Sequence, residues 1–311
     1  MRVFLNAYAN YNLGDDLFLK IVVDRYKNHN FICMPSNNYN KFSSNLKFKD
    51  KIFCKVLCKI SDKKIGYYAY KILLDKCKAI LTIGGSMFME KNTKFNYIYN
   101  INKPHYILGS NFGPYNTNKF YDEMYEIFSR VEDVCFREEY SYNLFKKLPN
   151  IRYASDIVFA LNTDDVIITN NKKVVISTID CSKKTSLEHK EKYENKILDM
   201  INLFYKKDYE IIMMSFCKSE GDEEAIESII SKINDKKIKE KITKYYYKGN
   251  IKEALDIIGD SQVVVGSRFH ANILGLVMNK TIIPTMIISI TISPHSIQKY
   301  HYYQHNYTSF Y

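Results

Sequence analysis

The stretch VVVGSRFHANILG, Val263 to Gly275, places an arginine and a histidine two residues apart, just after three valines and a glycine. Such a run fits a strand buried on both faces, with Gly266 and Ser267 turning the chain into a helical segment after His270. Arg268 and His270 then stand at the carboxyl end of a strand and the amino end of a helix, where open α/β sheets bind ligands. Arginine offers a planar fork to carboxylate or phosphate, and histidine can donate to phosphate or move a proton near neutral pH. Two readings stand side by side: an anion site with proton chemistry, or a histidine satisfied at the start of its helix.

Other loops carry chemistry of the same kind. Gly84, Gly85 and Ser86 follow the apolar run AILTI, and paired glycines let backbone N–H groups approach an anion closely, unless the segment is a plain turn. GSNFGP at 109–114 repeats the form. Arg137 follows DVCF directly and reads either as an anion clamp or as a surface salt bridge with Glu138 or Glu139. Asp156 in ASDIVF is either a cap or a polar ligand. Asp15 and Asp16 lie in the first turn of the helix expected over NLGDDLFLKIVVDRY, where carboxylates favour the helix dipole. His295, His301 and His305 fall in a tail with no regular period.

The elements that position these loops alternate strand, loop and helix. RVFLNA, KAILTI, YILG and DVCF read as strands of the first half, with Leu17, Ile21 and Val22 on one face of the first helix. A polar stretch at 162–173 separates a second alternation, in which KVVISTI, YEIIMMSF, KYYY, VVVGS and TIIPTMI are strands and helices intervene. The expected architecture is α/β: two Rossmann-like parallel-sheet domains, 1–165 and 170–311, in a GT-B-like pair facing across a cleft, with an atypical tail at 292–311.

Composition narrows the function. The 311 residues carry a formal charge of +11, with 46% hydrophobic and 25% charged residues, ordinary for a globular protein. The Lys, Asn, Ile and Tyr excess and the absence of Trp fit an AT-rich coding bias, with lysines on solvated faces. The rest of the charge suits a phosphorylated substrate or an acceptor at an acidic membrane surface. No nucleic-acid-binding motif is present, so nucleic acid is set aside as a partner. Seven scattered cysteines, with Cys54 and Cys58 read as one helix face, give neither a disulfide framework nor zinc spacing. With no signal peptide and no spanning segment, a cytoplasmic protein is expected, in peripheral contact with the inner face of the membrane.

NLGDD, IGGSMF, LGSNFGP, FREEYS, ASDIVFAL and GSRFHANILGLVMNKTIIP occur in the order seen in the polysaccharide pyruvyl transferase family, which the chain resembles from about Asn12 to Pro284. The resemblance implies transfer of a pyruvyl group from phosphoenolpyruvate to a sugar of a cell-surface polysaccharide or its lipid-linked precursor, forming a cyclic ketal. It places the family's RxH motif on Arg268, Phe269 and His270, its strand-end arginine on Arg137, its glycine loop on Gly84, Gly85 and Ser86, and its N-x-G-D stretch on Asn12, Gly14 and Asp15. Donor contacts are thus expected from Arg137, Arg268, Phe269, His270 and the glycine loop. Acceptor contacts are expected from Asn12, Asp16 and Asp156. His270 is the expected general acid and Asp15 or Asp156 the expected base, with no cofactor and no metal. Family members continue beyond the strand near Thr281 with further helices, so an incomplete carboxyl-terminal domain is expected here. The rival readings are a GT-B nucleotide-sugar glycosyltransferase and a truncated, non-catalytic relative.

Overall fold

A computed structural model of the chain describes residues 1–34, 43–49, 71, 73–90, 98–182 and 186–285. The Cys54/Cys58 pair, the three tail histidines and the tail at 292–311 lie outside the described residues.

Twelve described strands form two wholly parallel sheets. The first holds β1 (Arg2–Ala7), β2 (Asn30–Cys33), β3 (Leu46–Phe48), β4 (Ala79–Ile83), β5 (His105–Ser110), β6 (Asp133–Phe136) and β7 (Ile151–Tyr153), in the order β3-β2-β1-β4-β5-β6-β7. The second holds β8 (Lys173–Ser177), β9 (Glu210–Ser215), β10 (Ile242–Tyr246), β11 (Val263–Gly266) and β12 (Thr281–Pro284), in the order β10-β9-β8-β11-β12. Each sheet reverses its strand order once, between β1 and β4 and between β8 and β11. Those two switch points are where doubly wound sheets open a crevice for ligands. Central strands are sealed on both faces: all four residues of β11 are buried, as are Val3 to Asn6 of β1. This is why they read as continuous apolar runs.

The helices are α1 (Leu13–Arg25), α2 (Asn118–Arg130), α3 (Glu139–Phe145), α4 (Leu187–Lys206), α5 (Asp222–Ser231), α6 (Lys236–Glu240), α7 (Ile251–Gly259) and α8 (Phe269–Val277). Most bury one stripe; α2 buries Phe120, Met124, Ile127 and Phe128, with Tyr121 and Tyr125 half-buried against the same cluster. The expected single apolar face on α1 is corrected. It buries Leu13, Leu17, Phe18, Leu19, Val22 and Val23, which lie all round the helix. The cause is its position between the two halves. One apolar cluster joins Leu5, Leu13 and Leu17 to Val175, Met214, Phe216, Tyr247 and Leu274 of the second half.

Between β7 and β8 the chain crosses from one sheet to the other. The crossing strip is held to the end of α7: Ile167 N–H donates to Asp256 at 3.0 Å, and buried Lys280 donates to the carbonyl of Gly259 at 2.6 Å and to that of Thr169.

Candidate active site

One side of the junction between the two sheets is the start of α1. Asn12 caps the helix through Oδ1, which accepts from Gly14 N–H at 3.1 Å. The same corner reaches the second half: Leu13 N–H donates to Phe216 O at 3.0 Å, and Asn12 Nδ2 donates to Glu220 at 3.3 Å. Asp15 follows inside the first turn. Burial, together with the charges of Asp16 and Glu220, raises its carboxyl to about 7, although Arg137 and Arg268 pull the other way. Asp15 can therefore hold or release a proton near neutral pH. Asp16, expected to contact an acceptor, has no exposed surface. Its carboxylate accepts from Tyr247 Oη at 2.6 Å, which places it in the seam between the halves.

Arg137 enters from the end of β6. Its expected partners were Glu138 or Glu139, but its guanidinium donates to Asp156 at 3.0 Å and to Asn111 at 2.9 Å. Glu138 is occupied instead in capping α3. Asp156 is a cap, as one of its two expected roles has it: its other oxygen caps the turn Ile157–Ala160 through Val158 N–H. The guanidinium also lies 4.6 Å from the ring centre of Phe269, a residue of the second half that is 43% exposed. Gly84 and Gly85 are buried, Gly84 beside Met87 and Asp15 and Gly85 beside this arginine, and Ser86 is exposed. Gly84 has a φ of +147°, and a Cβ on Gly85 would come within 2.4 Å of the Arg137 guanidinium. Gly85 thus makes room for the arginine side chain.

The opening pair, Arg268 and His270, divides. Ser177, at the end of β8, accepts from the N–H groups of Ser267 and Arg268 through its hydroxyl, fixing the turn. The Arg268 side chain then runs to the end of β9, where Nε donates to Asp222 at 3.1 Å, Nη2 donates to the other Asp222 oxygen, and Nη1 donates to Glu220. The planar fork expected for a donor is taken by Asp222, itself held by the N–H groups of Phe216 and Cys217 at 2.9 Å each.

His270 turns towards the first half. Its ring packs edge-on to Phe18 at 5.2 Å and abuts Gly14, where a Cβ would meet Nδ1 at 1.9 Å. Nε2 is buried, has no hydrogen-bond partner among the described residues, and lies 3.9 Å from Asp156. Burial depresses its pKa to about 4, with Arg137 and Arg268 adding to the effect and Asp156 opposing it. His270 is thus neutral at pH 7, against the expectation of a ready general acid. Sequence reasoning missed Asn111, Ser177, Glu220 and Asp222. Only Asp222 had a local signal, an acidic residue at a helix start after glycine, and Glu223 and Glu224 share it.

The family model described as polysaccharide pyruvyl transferase matches residues 12–285, from the cap of α1 to the residue after β12. The chain belongs to the polysaccharide pyruvyl transferase family. It is a transferase with two parallel α/β sheets in a GT-B-like arrangement. No curated protein matches it significantly. Among solved structures it is similar to the UDP-GlcNAc 2-epimerase of Neisseria meningitidis bound to UDP-GlcNAc, at 11% identity and TM-score 0.53, covering 96% of this chain and 85% of that one. The UDP-GlcNAc 2-epimerase of Methanocaldococcus jannaschii is similar at 12% identity and TM-score 0.52, with 96% and 87% covered. That of Rickettsia bellii is similar at 10% identity and TM-score 0.51, with 91% and 78% covered. At such identities the likeness is one of fold. No helix among the described residues is long and apolar enough to cross a membrane.

Proposed function

We propose that this family member transfers a pyruvyl group from phosphoenolpyruvate to a sugar of a cell-surface polysaccharide or its lipid-linked precursor, forming a cyclic ketal. The observation that carries the reading is a family match that takes in every residue of the cleft, from Asn12 to His270. The lipid-linked form of the acceptor would bring the protein to the inner face of the membrane, where its positive charge of +11 favours acidic lipids.

Phosphoenolpyruvate presents a carboxylate and a phosphate on adjoining groups. Arg137 and Arg268 come from strand ends of opposite sheets, the charges of both act on Asp15 and His270, and Phe269 lies against the first. A neutral buried His270 gains basicity beside a phosphate, because the neighbouring negative charge favours its protonated form. The reaction begins by adding a proton to the donor's methylene carbon, which leaves the adjacent carbon electrophilic. One sugar hydroxyl adds there, and a second displaces phosphate to close the ketal. Of the two hydroxyl protons, one balances the proton taken up by the methyl group and the other leaves with phosphate. Asp15, with its carboxyl near neutrality, is the better proton donor to the methylene carbon, and His270 is the partner of the departing phosphate. Asn12 and Asp156 remain the acceptor-side candidates.

The test is to incubate purified protein with phosphoenolpyruvate and a panel of nitrophenyl and lipid-linked sugars, reading phosphate release and ketal formation by mass spectrometry. Acceptor-dependent phosphate release is the expected result. Transfer from a nucleotide-sugar, with none from phosphoenolpyruvate, would overturn the reading in favour of a glycosyltransferase.

A further inference from the structure

The two arginines of the cleft stand among five carboxylates: Asp15, Asp16, Asp156, Glu220 and Asp222. A doubly charged anion cannot be held there unless some of that negative charge moves or is neutralised. Three of the five are fixed. Asp16 has no exposed surface and accepts from Tyr247. Asp156 is 6% exposed, pairs with Arg137 and caps a turn. Asp222 has no exposed surface and accepts from Nε and Nη2 along one edge of Arg268 and from two backbone N–H groups. Asp15 can be neutralised by a proton. Glu220 alone of the five has freedom of another kind.

The Glu220 side chain is 32% exposed, whereas that of Arg268 is 14% exposed. It ends the short turn Lys218–Glu220, which Gly221 closes with a φ of +90°. Its two oxygens do different things. One accepts from Arg268 Nη1, the guanidinium edge that Asp222 leaves over; the other accepts from Asn12 Nδ2 at 3.3 Å. Arg268 is therefore clamped on its inner edge by a permanent carboxylate and on its outer edge by a long, partly exposed one. We propose that Glu220 is a positioning residue that holds the outer edge of Arg268 in place of a ligand's carboxylate or phosphate and exchanges with it on binding. The exchange also frees the Asn12 amide at the cap of α1, so an anion arriving at the second sheet is felt at the helix start that carries Asp15. That an anion comes to Arg268, and that it is phosphoenolpyruvate, rests on the function proposed above.

The decisive measurement is isothermal titration of the full chain, wild type against Glu220→Gln and Glu220→Ala, with inorganic phosphate and separately with phosphoenolpyruvate. Melting temperatures are recorded alongside. An exchange that no longer sacrifices one charge-assisted hydrogen bond should tighten phosphate binding roughly ten-fold. Both variants should behave alike, because the gain comes from removing the competing charge. A residue that merely braces the loop would instead lower the melting temperature and leave affinity equal or weaker, and that result in folded variants overturns the proposal. Tighter phosphate binding without any binding of phosphoenolpyruvate sustains Glu220 as the guard and removes phosphoenolpyruvate as the donor. Transfer from phosphoenolpyruvate with unchanged affinities in the variants leaves the enzyme's function standing and removes Glu220 from it.

Discussion

Gly14 and Gly85 owe their identity to side chains packed against them, and each marks one catalytic candidate. A Cβ on Gly14 would stand 1.9 Å from His270 Nδ1, so Gly14→Ala must drive the ring off Phe18 or distort the first turn of α1. Overpacking of this kind costs about 1–3 kcal/mol, and a thermal melt should show the loss together with impaired turnover. A variant that melts like the wild type would mean that His270 is not held where the packing puts it. Asp15 gives a prediction with a sign. Its folded carboxyl lies near 7, well above the ordinary carboxylate range, so the protonated form is the one that folding favours. Its stabilising contribution is complete below the unfolded pKa and is lost as pH rises through the folded one. Asp15→Asn should therefore gain stability over the wild type as pH rises from about 4 to about 8, with little difference at the acid end. Melts across that range check it, and a constant offset would remove the shifted carboxyl. In the sequence Gly85 was legible as a turn position and Gly14 only through the N-x-G-D stretch; the reason for either was not legible, because Arg137 and His270 reach them from distant strand ends.

Asp222 shows what the corner between β9 and α5 depends on. Its carboxylate ties two backbone N–H groups at the end of the strand to the guanidinium of Arg268 at the end of β11. Asp222→Ala would strip the bidentate partner from a buried cation, leaving it Glu220 alone, and leave two buried backbone donors without that carboxylate; breaking a buried pair typically costs about 3–5 kcal/mol. Chemical denaturation should read that loss, while Glu224→Ala, one turn position on and not joined to Arg268, should be near neutral. The corner itself was readable: the apolar runs of β8, β9 and β11 and the helical periods of α4, α5 and α7 give the alternation that produces two parallel sheets. The short strands β2 and β3, NFIC and LKF, were missed, since three or four residues carry too little pattern to stand out. Within GDEE nothing distinguishes Asp222 from the two glutamates that follow it. What distinguishes it is Arg268, 46 positions away.

The whole molecule is joined through α1. Its residues share one apolar cluster with both sheets, and its first turn is bonded to the second half by Leu13, Asn12 and Asp16. Two halves sharing a core cannot expose that surface separately without losing the burial that stabilises each, so unfolding should be a single cooperative event. The hydrogen bond from Tyr247 to Asp16 tests this at one atom. Both residues are buried, and they belong to opposite halves. Tyr247→Phe keeps the ring and its packing but withdraws the hydroxyl from a carboxylate with no access to water. A hydrogen bond to a charged group contributes about 1.5–3 kcal/mol. For a chain of this size each kcal/mol moves the midpoint by roughly 2–4 °C. Calorimetry of the variant should show one peak, displaced downward as a whole. A second peak, with one half melting early and the other at the wild-type temperature, would show that α1 belongs to the first sheet alone and that the shared cluster is only a contact between independent domains.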